Sequence, residues 1–198
     1  MAHWLERADH VASTIAAVAT VVAAVFAIRG ISEWRRQLRE TARYRIADRC
    51  RETVIRLRDA IPSARTPMET ASLGLEGDKD SGDRIHSEKA AFWTHFADLS
   101  AADEALGSLR PKAEIHIGIE ATRHIERLRG LVAELRGAGS SHFEKRLAAI
   151  NGQPDRERLL EATAVMYSIR HLRHDPFAQE ASKAIADALA YYDSCARL

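Results

Sequence analysis

Residues 11–28 read VASTIAAVATVVAAVFAI, an uncharged run from Val11 to Ile28 that is followed almost at once by arginines. At ~1.5 Å rise per residue, a helix of this length roughly crosses the ~30 Å hydrocarbon core of a bilayer. The run is apolar on every side, unlike a surface helix, which keeps one face in water. A transmembrane helix is therefore expected. One rival, a buried helix of a water-soluble protein, suits the modest hydrophobicity of a run rich in Ala and Val and lacking Leu. The other, a secretory signal peptide, needs a positive n-region, whereas MAHWLERADH sets Arg7 against Glu6 and Asp9.

Trp4 and Trp34 flank the run, spaced so that both rings reach the headgroup layers. Arg29, Arg35, Arg36 and Arg39 follow it, while the tail before it carries almost no net charge. Basic residues are retained in the cytoplasm. This predicts a short extracytoplasmic tail over 1–10, a span over 11–28 and a cytosolic remainder, in a bacterial inner membrane. The four arginines also suit anionic lipid headgroups. Small residues recur every fourth position along the span at Ala12, Ala16, Thr20 and Ala24, with a second row at Ala19, Ala23 and Ala27. Such rows let helices approach closely in lipid, so a homo-oligomer is expected.

Past the span remain about 170 residues, enough for one domain with its own core. Net charge is +1, which gives no general case for nucleic acid. The two cysteines, Cys50 and Cys195, read as small buried hydrophobes in a reducing compartment.

A basic juxtamembrane helix is expected over 29–61. Ile31, Trp34 and Leu38 begin an apolar stripe that Ala47, Cys50, Val54, Leu57 and Ile61 continue at steps of three and four. Pro62 should end it. The stretch 62–83, PSARTPMETASLGLEGDKDSGD, is polar and rich in Gly and Pro, as flexible linkers are. The remainder, 84–198, should be a helical bundle that packs with 29–61. Its second helix spans about 84–106 with Ile85, Phe92, Phe96, Leu99 and Leu106 inward, and Gly107 closes it. A third begins at Pro111, buries Ile115, Ile119, Thr122, Ile125, Leu128 and Val132, and stops at Gly137–Gly139. Ser141 and Glu144 have capping-box spacing and open a short helix with Phe143, Leu147 and Ile150. Another, from Pro154, carries Leu159, Thr163, Met166, Ile169 and Leu172. Asp175-Pro176 caps the last, whose inward face is Phe177, Ala181, Ala184, Ile185, Ala188, Tyr192 and Cys195. Period-two alternation is absent. The fold class is all-α: one transmembrane helix continuing into an antiparallel cytosolic bundle of four to six helices.

Motifs for chemistry are sparse. There is no phosphate-cradling glycine loop, zinc-protease helix, serine elbow or paired-cysteine metal site, and no cofactor is expected. Arg110-PKAEI-His116 and Arg136-GAGSS-His142 fit the loose Arg-x(4–6)-His pattern of HEPN ribonucleases. With nine histidines and abundant arginine, chance supplies about three such spacings in a chain this long. His171 and His174 lie three apart at a predicted helix end, where the dipole favours positive charge; a zinc site needs further ligands.

EWRRQL (Glu33–Leu38), IRLRDAIPSAR (Ile55–Arg65) and FWTHFADLSAADEALG (Phe92–Gly107) stand behind the single N-terminal span. In this layout the chain resembles a broad group of bacterial single-pass membrane proteins with a Trp-containing basic helix and a cytosolic helical region. The resemblance implies that architecture and no activity. Together these readings point to a non-enzymatic membrane protein whose cytosolic bundle self-associates or binds a protein partner. A membrane-anchored defence effector, either pore-forming or a ribonuclease, is the alternative.

Overall fold

The computed structural model describes residues 2–65, 82–150, 156–166 and 175–197, with side chains described from residue 20 onward except at 83, 150, 156–158 and 160. Every described element is helical: α1 (Ala2–Ala64), α2 (Gly82–His116), α3 (Ile119–Ile150), α4 (Arg156–Met166) and α5 (Pro176–Ala196). The chain divides into two compact units, Met1–Ala42 and Arg43–Leu198.

In the second unit α3 is the central helix, packed against α2, α4 and α5. Helices α2 and α3 run antiparallel, as the successive pairs Glu88–Arg146, Asp103–Arg129 and Arg110–Glu126 show. The stretch of α1 within this unit runs antiparallel to α5, joined by Arg51–Asp193 and Arg65–Asp175. The core lies along the expected stripes. Ala47, Cys50, Val54, Leu57 and Ile61 of α1 are buried, as are Ile85, Phe92, Phe96, Leu99 and Leu106 of α2. All seven residues assigned to the inner face of α5 are buried, and Asp175 caps that helix by accepting from the Ala178 N–H at 2.9 Å. Phe92 packs at a tilt against Phe96 and Phe143, with ring centroids 5.7 Å away in each case, and meets Trp93 edge-on.

The helix boundaries differ from expectation in an instructive way. Pro62 lies inside α1. Burial of Ile61 and Ala64, and the return of the Arg65 N–H to the Ile61 carbonyl at 3.1 Å, carry the helix past it. Of the expected linker 62–83, residues 66–81 lie outside the described residues. Helix α2 runs through Gly107 and Pro111, with Leu106, Leu109 and Ala113 buried on either side of the proline. Helix α3 runs through Gly137, Gly139 and Ser141, so no separate helix begins at the Ser141–Glu144 box. At Gly107 and Gly139 the missing side chain makes room for a neighbour. A Cβ on Gly107 would meet the Arg129 guanidinium at 3.2 Å, and one on Gly139 would meet the Phe92 ring at 2.5 Å.

The true break is Gly118, at φ 127°, where glycine is favoured because it has no Cβ to clash. Its N–H reaches back to the Ala113 carbonyl at 3.0 Å. With the turn placed there, Ile115 and Ile119 fall on the outside of the hairpin, 78% and 55% exposed, instead of in the core. Ile169 and Leu172, expected to extend the fourth helix inward, lie outside the described residues, as does the helix start expected at Pro154.

Among the described residues no helix is long and apolar enough to cross a membrane. The side chains of residues 11–19, half of the run 11–28, are not among those described.

Candidate functional site

Two regions hold surface or polar chemistry beyond what a plain helical core requires. The first lies in the unit Met1–Ala42, on the stretch of α1 that leaves the apolar run. Val21, Val22, Val25, Phe26 and Ile28 are exposed, and so are Ile31 (51%), Trp34 (61%) and Leu38 (50%) further on. Ala27, Ile31, Trp34 and Leu38 are spaced four, three and four apart, the spacing of a coiled-coil seam. On another face of the same stretch Arg36 is held by Glu40 at 3.1 Å and by Glu33 at 4.0 Å. Of the expected small-residue row, Thr20 and Ala24 are exposed. Ala12 and Ala16 lie outside the described side chains, as does Trp4.

The second region is a set of buried polar contacts between helices of the larger unit. Arg65, 3% exposed, places one terminal nitrogen 2.9 Å from an Asp175 carboxylate oxygen. It also donates from Nε to the Val165 carbonyl at 2.9 Å and from its other terminal nitrogen to the Ala164 carbonyl at 3.2 Å. Its guanidinium lies over the Phe177 ring, 4.8 Å from the centroid. One side chain thus satisfies the C-terminal carbonyls of α4 and pairs with the N-cap of α5, a bidentate use for which arginine is suited. Nothing in the sequence announces the Arg65–Asp175 pair, because its members are 110 residues apart.

A second contact set joins α2, α3 and α4. Glu88, 5% exposed, receives Arg84 from its own helix and Arg146 from α3. Beside it, His142 Nδ1 lies 2.9 Å from the Thr163 hydroxyl. Burial, together with the Arg146 charge, pushes the His142 imidazole down to about 4, so it is neutral near pH 7. The Arg84–Glu88 half was readable from its i,i+4 spacing; the α3 and α4 partners were not.

The ribonuclease-type pairs are not assembled. Arg110 is exposed and paired with Glu126 at 2.7 Å, and His116 is exposed at the end of α2. Arg136 reaches Ser100 and lies 5.5 Å over the Phe96 ring, while His142 is buried as described. His116 lies beside the α2–α3 turn, and His142 sits more than 20 residues up α3 from that turn, so about 35 Å separates them at helical rise. No single cleft can contain both.

Thiol chemistry is suppressed at Cys50. Burial pushes the Cys50 thiol up to about 11, moderated by its bond with Tyr192. Tyr192 donates to the Ala121 carbonyl at 3.0 Å, and burial holds its phenol well above the ordinary range. A thiol so protonated at neutral pH is no nucleophile. Among the described residues there is no group of three metal-ligating side chains; His171 and His174 lie outside them.

Comparison with family models, with curated proteins and with solved structures returns no match for this chain.

Proposed function

We propose that this chain is a single-pass inner-membrane protein, anchored by Val11–Ile28 with its N-terminus outside, whose cytosolic helical unit serves in protein association rather than catalysis. The observation carrying this reading is the exposed apolar face of Ile31, Trp34 and Leu38, on a charged helix stretch directly after the apolar run. Large apolar side chains aligned on one exposed face mark an association surface.

The occupant best matched to that face is a second copy of the chain. The four-three-four spacing from Ala27 to Leu38 is the repeat that lets identical helices interlock. The small-residue rows upstream favour the same pairing in lipid. Anchoring in a membrane raises the local concentration of copies, which favours weak seams. Assembly of this kind would make the larger unit a multivalent platform for a cytosolic protein.

Full-length protein in nanodiscs should be oligomeric by native mass spectrometry and by membrane crosslinking at native expression. Ile31→Asn with Leu38→Asn should shift it toward monomer while the larger unit keeps its helical circular dichroism. A wild-type chain that is monomeric in membranes would overturn the reading.

A further inference from the structure

One face of the helix just past the apolar run joins basic and apolar groups without a carboxylate. Ile28, Ser32, Arg35 and Arg39 recur at steps of four, three and four, which is one helical face, and with Ile31 they line an open groove of about 380 Å³. The acids of this stretch are turned away, since Glu33 and Glu40 both serve Arg36. Arg35 has no ion-pair partner among the described residues. Arg39 donates Nε to the Arg35 carbonyl at 3.4 Å, which draws its guanidinium back over the turn that carries Arg35. Like charges at i,i+4 repel one another, and an anion held between them reverses the sign of that interaction. Ser32 is turned inward, its hydroxyl donating to the Arg29 carbonyl at 2.8 Å. Its small side chain therefore forms a floor and does not compete for the anion.

We propose that Arg35 and Arg39 hold the phosphate of one anionic phospholipid, whose acyl chains run back along Ile28, beside the seam that Ile31 shares with a second copy. This rests on the membrane reading above. The apolar lip at Ile28 is the reason for a lipid phosphate and not a free one, because a soluble anion gains nothing from it. The site also separates arginines that the sequence presents as equivalent: Arg36, held by two acids, is excluded.

The test uses full-length protein in phosphatidylcholine nanodiscs with increasing phosphatidylglycerol, and native mass spectrometry to count retained lipids. Wild type should retain one phosphatidylglycerol per chain. Arg35→Gln with Arg39→Gln should weaken that binding about thirtyfold, from two contacts of ~1 kcal/mol each, whereas Arg36→Gln should leave it unchanged. Equal weakening by Arg36→Gln would show diffuse charge attraction and overturn the site. So would equal retention of phosphatidylcholine, or displacement of phosphatidylglycerol by millimolar inorganic phosphate. Alkaline carbonate washing of native membranes separates the two readings. A released chain defeats both, while a retained chain without phosphatidylglycerol preference defeats the lipid site alone.

Discussion

Gly139 has no room for a methyl group, because a Cβ built there would lie 2.5 Å from the Phe92 ring. That ring is itself fixed by Trp93, Phe96 and Phe143, so it cannot retreat. Gly139→Ala should therefore cost about 1–3 kcal/mol, as overpacked cores do. Gly137, two residues earlier on the same helix, meets nothing within 4 Å; Gly137→Ala should stabilise by up to about 1 kcal/mol through helix propensity. Thermal unfolding of the two variants checks both signs at once. From sequence alone the two glycines look identical, since both read as a helix stop and only the approach of α2 distinguishes them. His142 offers a test in pH. Its folded value, about 4, lies below the ordinary 6.5, so the unfolded chain takes up the proton first. Its contribution to stability is whole above about pH 6.5 and fades as pH falls toward 4, by as much as about 3 kcal/mol. His142→Asn cannot titrate but can still meet the Thr163 hydroxyl; it should flatten the fall in melting temperature over that interval.

At the scale of elements, the buried stripes were legible away from the α2–α3 turn, where Ile115 and Ile119 were misplaced, and the stops were not. Burial follows apolar periodicity because a helix in water must hide its apolar face, and the inner face of α5 is readable for that reason alone. Glycine and proline are ambiguous punctuation. Gly107 and Pro111 look like a break, yet the core on either side of them keeps α2 whole, while the single Gly118 in the run Ile-His-Ile-Gly-Ile makes the real turn. The Arg65 clasp lay further out of reach, since pairing across α1, α4 and α5 is fixed by topology and leaves no local spacing. Its energetics are testable. Asp175→Ala removes a helix cap and leaves a buried guanidinium without its counter-charge, which should cost about 3–5 kcal/mol. Adding Arg65→Met should recover part of that loss, because it removes the unpaired buried charge, while the missing helix cap and the Ala164 and Val165 carbonyls freed from Arg65 keep the rest. Chemical denaturation of both variants decides the matter; if the double variant is as weak as the single, the clasp is not acting as an ion pair.

At the scale of the molecule, the proposed topology rests on an asymmetry of charge that single variants barely disturb. Arg29, Arg35, Arg36 and Arg39 stand on one side of the apolar run, and Arg7 is the sole Lys or Arg among residues 1–10 on the other. Orientation counts Lys and Arg near the ends of a span and gives acids little weight, so Glu33 and Glu40 do not weaken the signal even though they pair with Arg36. The lipid contact proposed above uses two of the same arginines, yet the two roles come apart on mutation. Arg35→Gln with Arg39→Gln leaves Arg29 and Arg36 behind the span, so lipid selectivity should fall while orientation stays fixed. Changing all four arginines to Gln and adding four lysines to the tail 2–9 reverses the bias, and a substantial fraction of chains should invert. A C-terminal fluorescent protein, which matures in the cytosol, and a C-terminal alkaline phosphatase, active only outside it, read the two orientations in parallel. Fluorescence from wild type and from the double variant, with phosphatase activity appearing only on full reversal, is the expected pattern. Phosphatase activity from wild type would refute the orientation, and loss of fluorescence in the double variant would show that the lipid-facing arginines set topology as well.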